Sequence, residues 1–269
     1  MPRKAIPFIV LPLVFAACSP AIAQTGAGNP NDPWCRDSDG GNRGRYCEVR
    51  EQTLPARSSI SVDAGRNGGV HVQAWDRNQI LVRAKVQAWD DSDKDARALA
   101  DQIRIRTDDV IEADGPQTRR RAGWSVSYEI SVPRQTDLDL EAHNGGIGID
   151  GVRGKLRFET VNGGVHLASI GGDVQGETRN GGLHVELTGN GWDGQGLDVE
   201  TTNGGINLAV PDAYSAHLVT GTVNGRMQID FPVMVRGVIN HRIETDLGKG
   251  GATIRVTTRN GGVRVSRQG

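Results

Sequence analysis

Residues 143–185 read HNGGIGIDGVRGKLRFETVNGGVHLASIGGDVQGETRNGGLHV, and this stretch decides the fold. The tripeptide Asn-Gly-Gly begins at Asn144, Asn162 and Asn180, at intervals of 18 residues. A fixed period of this length is typical of stacked repeats, in which each unit buries its apolar face only against its neighbours. The stretch therefore predicts an all-β fold, a β-solenoid of Asn-Gly-Gly repeats.

Further copies follow this stretch at intervals of 23, 21 and 36 residues. The copy at Asn224 is a shortened Asn-Gly, and the last interval is two periods with Gly250-Gly251 in between. Asparagine and glycine both tolerate left-handed backbone, so each copy is predicted to be a structural turn. Stacked asparagines can also hydrogen-bond along their column. The predicted turns are at Asn144, Asn162, Asn180, Asn203, Asn224 and Asn260, and an earlier copy begins at Asn67.

Alignment of the copies gives columns of residues two apart, as in strands. The apolar positions after the tripeptide, such as Val165 and Leu167, are expected to face inward. The residues between them are expected to face outward, and they are Gly148, His166, His184, Asn207, Gln228 and Arg264. An antiparallel meander with Asn-Gly hairpin turns is the alternative, but identical residues once per full period favour stacking.

Residues 49–135 form a separate N-terminal β-rich part that is expected to cap the solenoid of residues 136–269. Apolar and polar residues alternate in Ser58–Val62, Gly69–Trp75 and Gln79–Trp89, and again in 103–106, 110–113 and 124–132. The sequence from Asp90 to Ala100 breaks this alternation and predicts one short helix that its Asp-Ser-Asp start can cap. Between the last two strands, Arg119–Arg121 are read as a solvated loop tip.

The N-terminus predicts export. Arg3 and Lys4 precede the apolar run Ile6–Ala17, and Ala21-Ile22-Ala23 fits a cleavage site, so residues 1–23 read as a signal peptide. A lipoprotein signal with an anchor at Cys18 is the minor alternative. The mature protein is expected in the periplasm or at the cell surface.

Composition excludes one class of function. Without residues 1–23 the chain carries 29 basic and 32 acidic residues, a net charge of −3, which does not indicate a nucleic-acid binder. The 37 glycines and 4% aromatic residues suit a thin core with many turns. Residues 24–48 are interpreted as a linker arm that holds Cys35 and Cys47, which are predicted to form a disulfide in an exported chain. Metal binding by this pair is the weaker option because no histidine is near.

The chain resembles the DUF4097 family of adhesin-like bacterial envelope proteins. The resemblance rests on VHVQAWDRNQILVRA, on the acidic helix SDKDARALADQI, and on YEISVPRQTDLDLEAHNGG with the repeats that follow it. It covers roughly residues 49–269. It implies a β-solenoid-like fold at the cell surface or in the periplasm, and it implies no defined chemistry or ligand.

Two periodic columns are candidate sites. His166 and His184 occupy equivalent positions one rung apart, so they could share a metal, but an exposed polar face is the favoured reading. A second column holds Glu141, Glu159, Glu177 and Glu200. Calcium could bridge these carboxylates, but Arg157, between Asp139 and Asp198, is expected to neutralise them.

No catalytic, cofactor-binding or metal residues are assigned, because the sequence has no nucleophile motif and no phosphate-binding loop. The predicted function is an exported binding or scaffolding module, without enzymatic activity, for an envelope protein or glycan. The alternative is a polysaccharide lyase or glycosidase on a β-solenoid. Self-association is considered at the C-terminal edge of the solenoid, near Val263–Val265.

Overall fold

Short alternating runs form strands along most of the chain. The structure is a computed structural model that describes residues 28–38, 43–118, 121–230 and 241–268. In these ranges there are a 3-10 helix at Pro33–Ser38, one α-helix, α1, at Asp93–Ala100, and twenty strands. The strands are β1 Gly44–Pro55, β2 Ser59–Asp63, β3 Val70–Trp75, β4 Gln79–Asp90, β5 Arg104–Arg106, β6 Val110–Asp114, β7 Gly123–Pro133, β8 Asp137–Ala142, β9 Ile147–Asp150, β10 Arg153–Asn162, β11 Val165–Ala168, β12 Gly171–Asn180, β13 Leu183–Glu186, β14 Gly196–Asn203, β15 Ile206–Val210, β16 Ala216–Asn224, β17 Met227–Ile229, β18 Arg242–Leu247, β19 Thr253–Asn260 and β20 Val263–Arg267.

The strands form two sheets of ten strands each. Sheet A has the order β1-β4-β7-β3-β9-β11-β13-β15-β20-β17, and sheet B has the order β18-β16-β19-β14-β12-β10-β8-β2-β6-β5. The inward residues of both sheets, such as Leu156 and Leu167, belong to one buried apolar cluster. This continuous core is what stabilises strands that are too short to be stable alone.

One rung of the stack is a strand of sheet B, a turn, and a strand of sheet A. In the rung β10/β11, β10 pairs in parallel with β12 and β11 pairs in parallel with β13. Asn162 lies opposite Asn180, and Val165 lies opposite Leu183. In the described parts of the chain, eight rungs stack in parallel, in the order β6/β7, β2/β3, β8/β9, β10/β11, β12/β13, β14/β15, β19/β20 and β16/β17.

The expectation that the stack ends at Val263–Val265 is wrong. β19/β20 lies between β14/β15 and β16/β17, so β20 is hydrogen-bonded to a strand on each side. The outermost strands at this end are β17 in sheet A and β18 in sheet B. The reason is that β19 and β20 carry the same apolar columns as their neighbours, which lets the last repeat pair on both sides.

The opposite end is closed by antiparallel strands. β4 pairs with β7, β1 pairs with β4, and β5 pairs with β6. α1 begins after Ser92, whose hydroxyl accepts a 3.2 Å hydrogen bond from the Asp95 N–H, and the helix packs on β1 and β4 through Ala96 and Leu99. The predicted all-β solenoid, with a capping part that contains one short helix, is confirmed. In the described ranges, no helix combines the length and apolar character that a bilayer crossing requires.

Both sheets continue across the predicted boundary at residues 135 and 136. β8 pairs in parallel with β2, and β9 pairs in parallel with β3. The β2/β3 rung, whose turn contains Asn67, thus joins the capping part to the repeats through two sheets. The predicted signal peptide and Cys18 lie outside the described residues.

Candidate functional site

The asparagines form one hydrogen-bonded ladder along the stack. In each step the side-chain N–H₂ of one asparagine donates to Oδ1 of the asparagine in the preceding rung, at 2.8 Å from Asn162 to Asn144 and from Asn180 to Asn162. In spatial order the ladder runs through Asn67, Asn144, Asn162, Asn180, Asn203, Asn260 and Asn224. The amides fix the register of the rungs and so align every column on both sheets.

The predicted left-handed backbone at these turns is wrong. In the described residues the one non-glycine residue with positive φ is Ser169, and none of the Asn-Gly-Gly glycines has positive φ. The left-handed conformation occurs instead at the second corner of the rung, at Gly151 (φ 70°), Ser169 (φ 55°) and Gly172 (φ 106°). The Asn-Gly-Gly corner therefore needs these residues for a reason other than backbone handedness.

That reason is the close approach of neighbouring rungs. A Cβ on Gly163, the first glycine of its turn, would lie 2.0 Å from the carbonyl oxygen of Gly145. The same carbonyl accepts a 2.9 Å hydrogen bond from the hydroxyl of Thr160, and the Thr178 hydroxyl likewise bonds Gly163 O at 2.8 Å. The recurring buried threonine and the first glycine thus form a second ladder beside the asparagines.

The outer face of sheet B carries a column of acids. Glu141, Glu159, Glu177 and Glu200 lie opposite one another in consecutive rungs, and all four are exposed. The column extends to Asp63, which lies opposite Glu141. Neighbouring parallel strands lie about 4.8 Å apart, so the carboxylates repeat at about this interval. We call these four glutamates, together with the flanking Asp139 and Asp198, the acidic face.

Arg157 does not neutralise the glutamates. Its guanidinium donates to the Gln175 side chain and lies 3.9 Å from Asp173. Asp198 lies 3.5 Å from Arg255. Within the described ranges none of the four glutamates has an ion-pair partner, so these four carboxylates remain available to a ligand.

A shallow depression lies in the middle of the acidic face. Gly176 occupies an inward position where the flanking rungs have Phe158 and Val199, and the Phe158 ring fills the space that a side chain there would need. The depression has a volume of about 450 Å³ and is lined mainly by the carboxylates and by Arg157, Gln175 and Phe158. Its acids repeat by strand register, so it does not contain the single isolated pair of carboxyls that a glycosidase requires.

The histidines lie on the opposite face of the molecule, outside sheet A. The rings of His166 and His184 are stacked with centroids 4.9 Å apart and an angle of 8° between their planes. Asn207 follows in the same column, opposite His184. The histidines and Glu177 therefore belong to two separate surfaces, not to one continuous outward surface.

The remaining predicted residues lie near the N-terminal end. Cys35 and Cys47 form a disulfide, with Cα atoms 5.7 Å apart. Beside it the Trp34 ring lies under the side chains of Arg83 and Lys85, so the arm is held against sheet A. Arg121 lies 3.6 Å from Asp91, while residues 119 and 120 lie outside the described residues.

No curated protein matches the chain. Among solved structures, it is similar to a putative cell adhesion protein from Clostridium sporogenes, with 9% identity, coverage of 84% of this chain and 100% of that chain, and a TM-score of 0.42. It is also similar to a putative adhesin from Bacteroides fragilis, with 11% identity, coverage of 82% and 97%, and a TM-score of 0.35.

A third solved structure, a putative lipid binding protein from Parabacteroides distasonis, has 9% identity, coverage of 81% of this chain and 96% of that chain, and a TM-score of 0.32. A family model described as Toastrack DUF4097 matches residues 58–266. This range begins just before β2 and ends in β20, so it contains all eight parallel rungs. The chain therefore belongs to the Toastrack DUF4097 family.

Proposed function

We propose that this protein is an exported, non-enzymatic binding module of the bacterial envelope that holds a cationic partner on its acidic face. The observation that carries the proposal is the column of Glu141, Glu159, Glu177 and Glu200, four exposed carboxylates in adjacent rungs without ion-pair partners in the described residues. The partner is an envelope protein or glycan whose positive charges match this repeat.

The electrostatic argument is direct. Like charges on neighbouring strands repel, at roughly 1 kcal/mol per pair in water before screening by salt. A ligand with several positive charges replaces this repulsion by attraction. Because the groups are exposed, salt weakens both effects, so binding should fall steeply as ionic strength rises.

The rigidity of the stack supports the same role. The asparagine ladder and the parallel pairing fix the carboxylates at the rung spacing, so the face is organised before a ligand arrives. A preorganised surface loses little conformational entropy on binding. The shallow depression at Gly176 adds contact area but encloses no dry cleft, which catalysis would need.

The disulfide supports the location. Cys35–Cys47 is the kind of bond that persists in oxidising compartments outside the cytoplasm. We propose that residues 1–23 direct the chain out of the cytoplasm and that the mature protein acts in the periplasm or at the cell surface.

The test uses two cationic probes with different backbones, an oligolysine peptide and a chitosan oligosaccharide, with an N-acetylated chitin oligosaccharide as the neutral control. The variant is Glu141→Gln, Glu159→Gln, Glu177→Gln and Glu200→Gln combined. The control, Asp108→Asn, Asp109→Asn, Asp114→Asn and Asp150→Asn combined, removes the same charge from exposed residues outside the acidic face.

We expect the wild-type protein and the control variant to bind at least one cationic probe at low salt, and the glutamate variant to bind at least tenfold more weakly. Equal binding by the two variants would contradict the acidic face as the site. If the protein releases reducing ends or unsaturated sugars from envelope polysaccharides, and Glu177→Gln abolishes that release, the protein is an enzyme and the proposal of a non-enzymatic binding module is wrong.

A further inference from the structure

A cluster of three side chains outside sheet A departs from the repeat. His184 and Glu186 lie two residues apart on β13, and the His184 Nε2 is 2.8 Å from Oε1 of Glu186. His166 lies opposite His184 on β11. One potential ligand atom from each residue lies within 4.8 Å of the other two. In the described residues no other three histidine, cysteine, aspartate or glutamate side chains converge in this way.

The neighbours of the cluster leave it open. Glu186 has Ala168 on one side in its column and Ala209 on the other, so no basic side chain adjoins it there. Gly148 lies next to His166 and has no side chain, and the shallow depression there, of about 400 Å³, is bordered by His166, His71 and Trp34. The His184 and Glu186 side chains are 42% and 36% exposed, which leaves the cluster accessible from solvent.

We propose that His166, His184 and Glu186 form a binding site for a divalent transition metal ion, with Zn²⁺ as the best match. Two imidazoles and one carboxylate are the ligand set that zinc accepts, at bond lengths near 2.0–2.1 Å. Calcium and magnesium prefer an all-oxygen set, which this cluster does not supply.

The geometry is close to what the ion requires. Two ligands on a tetrahedral ion lie about 3.4 Å apart at these bond lengths. The Nε2 of His184 and Oε1 of Glu186 are already 2.8 Å apart, so the metal takes the place of the proton that they share. The His166 and His184 rings are stacked nearly parallel, and each nitrogen lone pair lies in the plane of its ring, so the rings must tilt toward each other to share the ion. The exposed His166 ring has room to do so, and its ligand atom lies within 4.8 Å of the other two.

The fourth position on the ion remains open. A structural zinc site has four protein ligands, whereas three protein ligands leave a position for water or for a group of another molecule. The depression above Gly148 gives such a group access. This site lies on sheet A, opposite the acidic face, so its test does not depend on whether the acidic face binds a cationic partner.

The test is titration of the mature, tag-free protein with Co²⁺ and Zn²⁺ after chelator treatment. We expect one Co²⁺ per chain with visible absorption typical of low-coordinate cobalt, displaced by Zn²⁺, and calorimetry with the same stoichiometry. Circular dichroism of each variant shows whether its fold is intact.

The variants His166→Ala and His184→Ala should abolish binding, and Glu186→Gln should weaken it about tenfold or more. His143→Ala and His217→Ala remove histidines elsewhere, and both variants should bind the metal as the wild type does. His217 is a useful control because it also lies beside a carboxylate, that of Asp246. If either alanine variant does not fold, His166→Asn and His184→Asn replace it. Absence of binding at 1 mM metal, or binding that survives loss of both His166 and His184, would overturn the site.

Discussion

The side-chain N–H₂ of Asn260 donates a 2.8 Å hydrogen bond to Oδ1 of Asn203, although 57 positions separate the two residues. Asn224, which lies between them in the chain, comes after Asn260 in the ladder and bonds it at 2.8 Å. The order of the rungs in space therefore differs from their order in the sequence. The ladder is continuous even so, which indicates that its hydrogen bonds depend on the repeat position and not on the length of the connection.

Loss of a ladder amide should destabilise the protein. Asn162→Ala and Asn180→Ala each remove one donated and one accepted hydrogen bond, each worth about 0.5–1.5 kcal/mol. Because the amides are exposed, we expect the free energy of unfolding to fall by about 1–2 kcal/mol in total per variant. Urea denaturation measures this.

Two control variants test whether the destabilisation comes from the ladder or from the loss of any exposed polar side chain. Glu159→Ala removes an exposed, unpaired charge, and Asn207→Ala removes an exposed asparagine outside the ladder. Both should change the free energy of unfolding by less than about 0.5 kcal/mol. If Glu159→Ala is more destabilising than Asn180→Ala, the ladder is not the stabilising element.

The two glycines of a single turn should differ in their tolerance of a methyl group. In Gly163→Ala the new Cβ would lie 2.0 Å from Gly145 O, so the rungs must separate, and we expect a loss of about 3 kcal/mol or more. In Gly164→Ala the nearest atom, Gly182 O, is 3.5 Å away, and the loss should be below about 1 kcal/mol. Thermal unfolding of the pair provides the measurement, and similar melting temperatures would contradict the close approach.

The disulfide should stabilise the N-terminal end. Cys35 and Cys47 are 12 positions apart, and a loop of this size contributes about 3 kcal/mol when its ends are ordered in the folded state. Asp32 is docked by a 2.9 Å ion pair with Arg83, so the arm meets that condition. The double variant Cys35→Ala, Cys47→Ala should unfold at a lower temperature, and reductant should lower the wild type to the same value. Detection of two free thiols in unreduced mature protein would rule out the bond.

His217 should link stability to pH. The Asp246 carboxylate, 2.8 Å from Nδ1, raises the pKa of His217 above its ordinary value of 6.5, and Glu244 adds to the effect. A raised pKa in the folded state means that the charged histidine stabilises the β16–β18 pair. This contribution is complete below pH 6.5 and is lost as the pH rises through the raised pKa.

A titration of the His217 ring by NMR checks this. We expect a midpoint above 6.5 in the wild type and a midpoint closer to 6.5 in Asp246→Asn. A midpoint at or below 6.5 for His217 in the wild type would contradict the pairing.

The 18-residue period and the local alternation were sufficient to predict the rung and its inward columns. The short helix could be predicted because Asp90–Ala100 breaks the alternation. The order of the rungs could not be predicted in the same way. Leu197, Ile254 and Leu218 present equivalent apolar surfaces, so several stacking orders bury the same residues. The pairing of β19 with both β14 and β16 is determined by tertiary packing, and it produces no periodic pattern in the sequence.

The site was only partly predictable for a related reason. The stacked pair His166 and His184 follows from the repeat, but Glu186 does not repeat and was overlooked for that reason. Its position two residues after His184 on a strand was a usable signal, because such residues point to the same face. The pairing of Arg157 with Asp173 and Gln175, by contrast, depends on rotamers, which no sequence pattern specifies.

The displaced final rung has a consequence for the order in which the molecule is completed. Ribosomes make the chain from its N-terminus, so β16 and β17 emerge before β19 and β20. Until residues 253–267 arrive, β14/β15 lacks its final neighbour, and the earlier-made β16/β17 has no rung to rest on. Folding of this end of the stack is therefore complete only after residues 253–267 have been made and have paired with β14/β15 and β16/β17. A protein shortened by one rung at its C-terminus would lose an internal contact on two sides, and a nascent chain stays accessible to proteases and chaperones until residues 253–267 have been made.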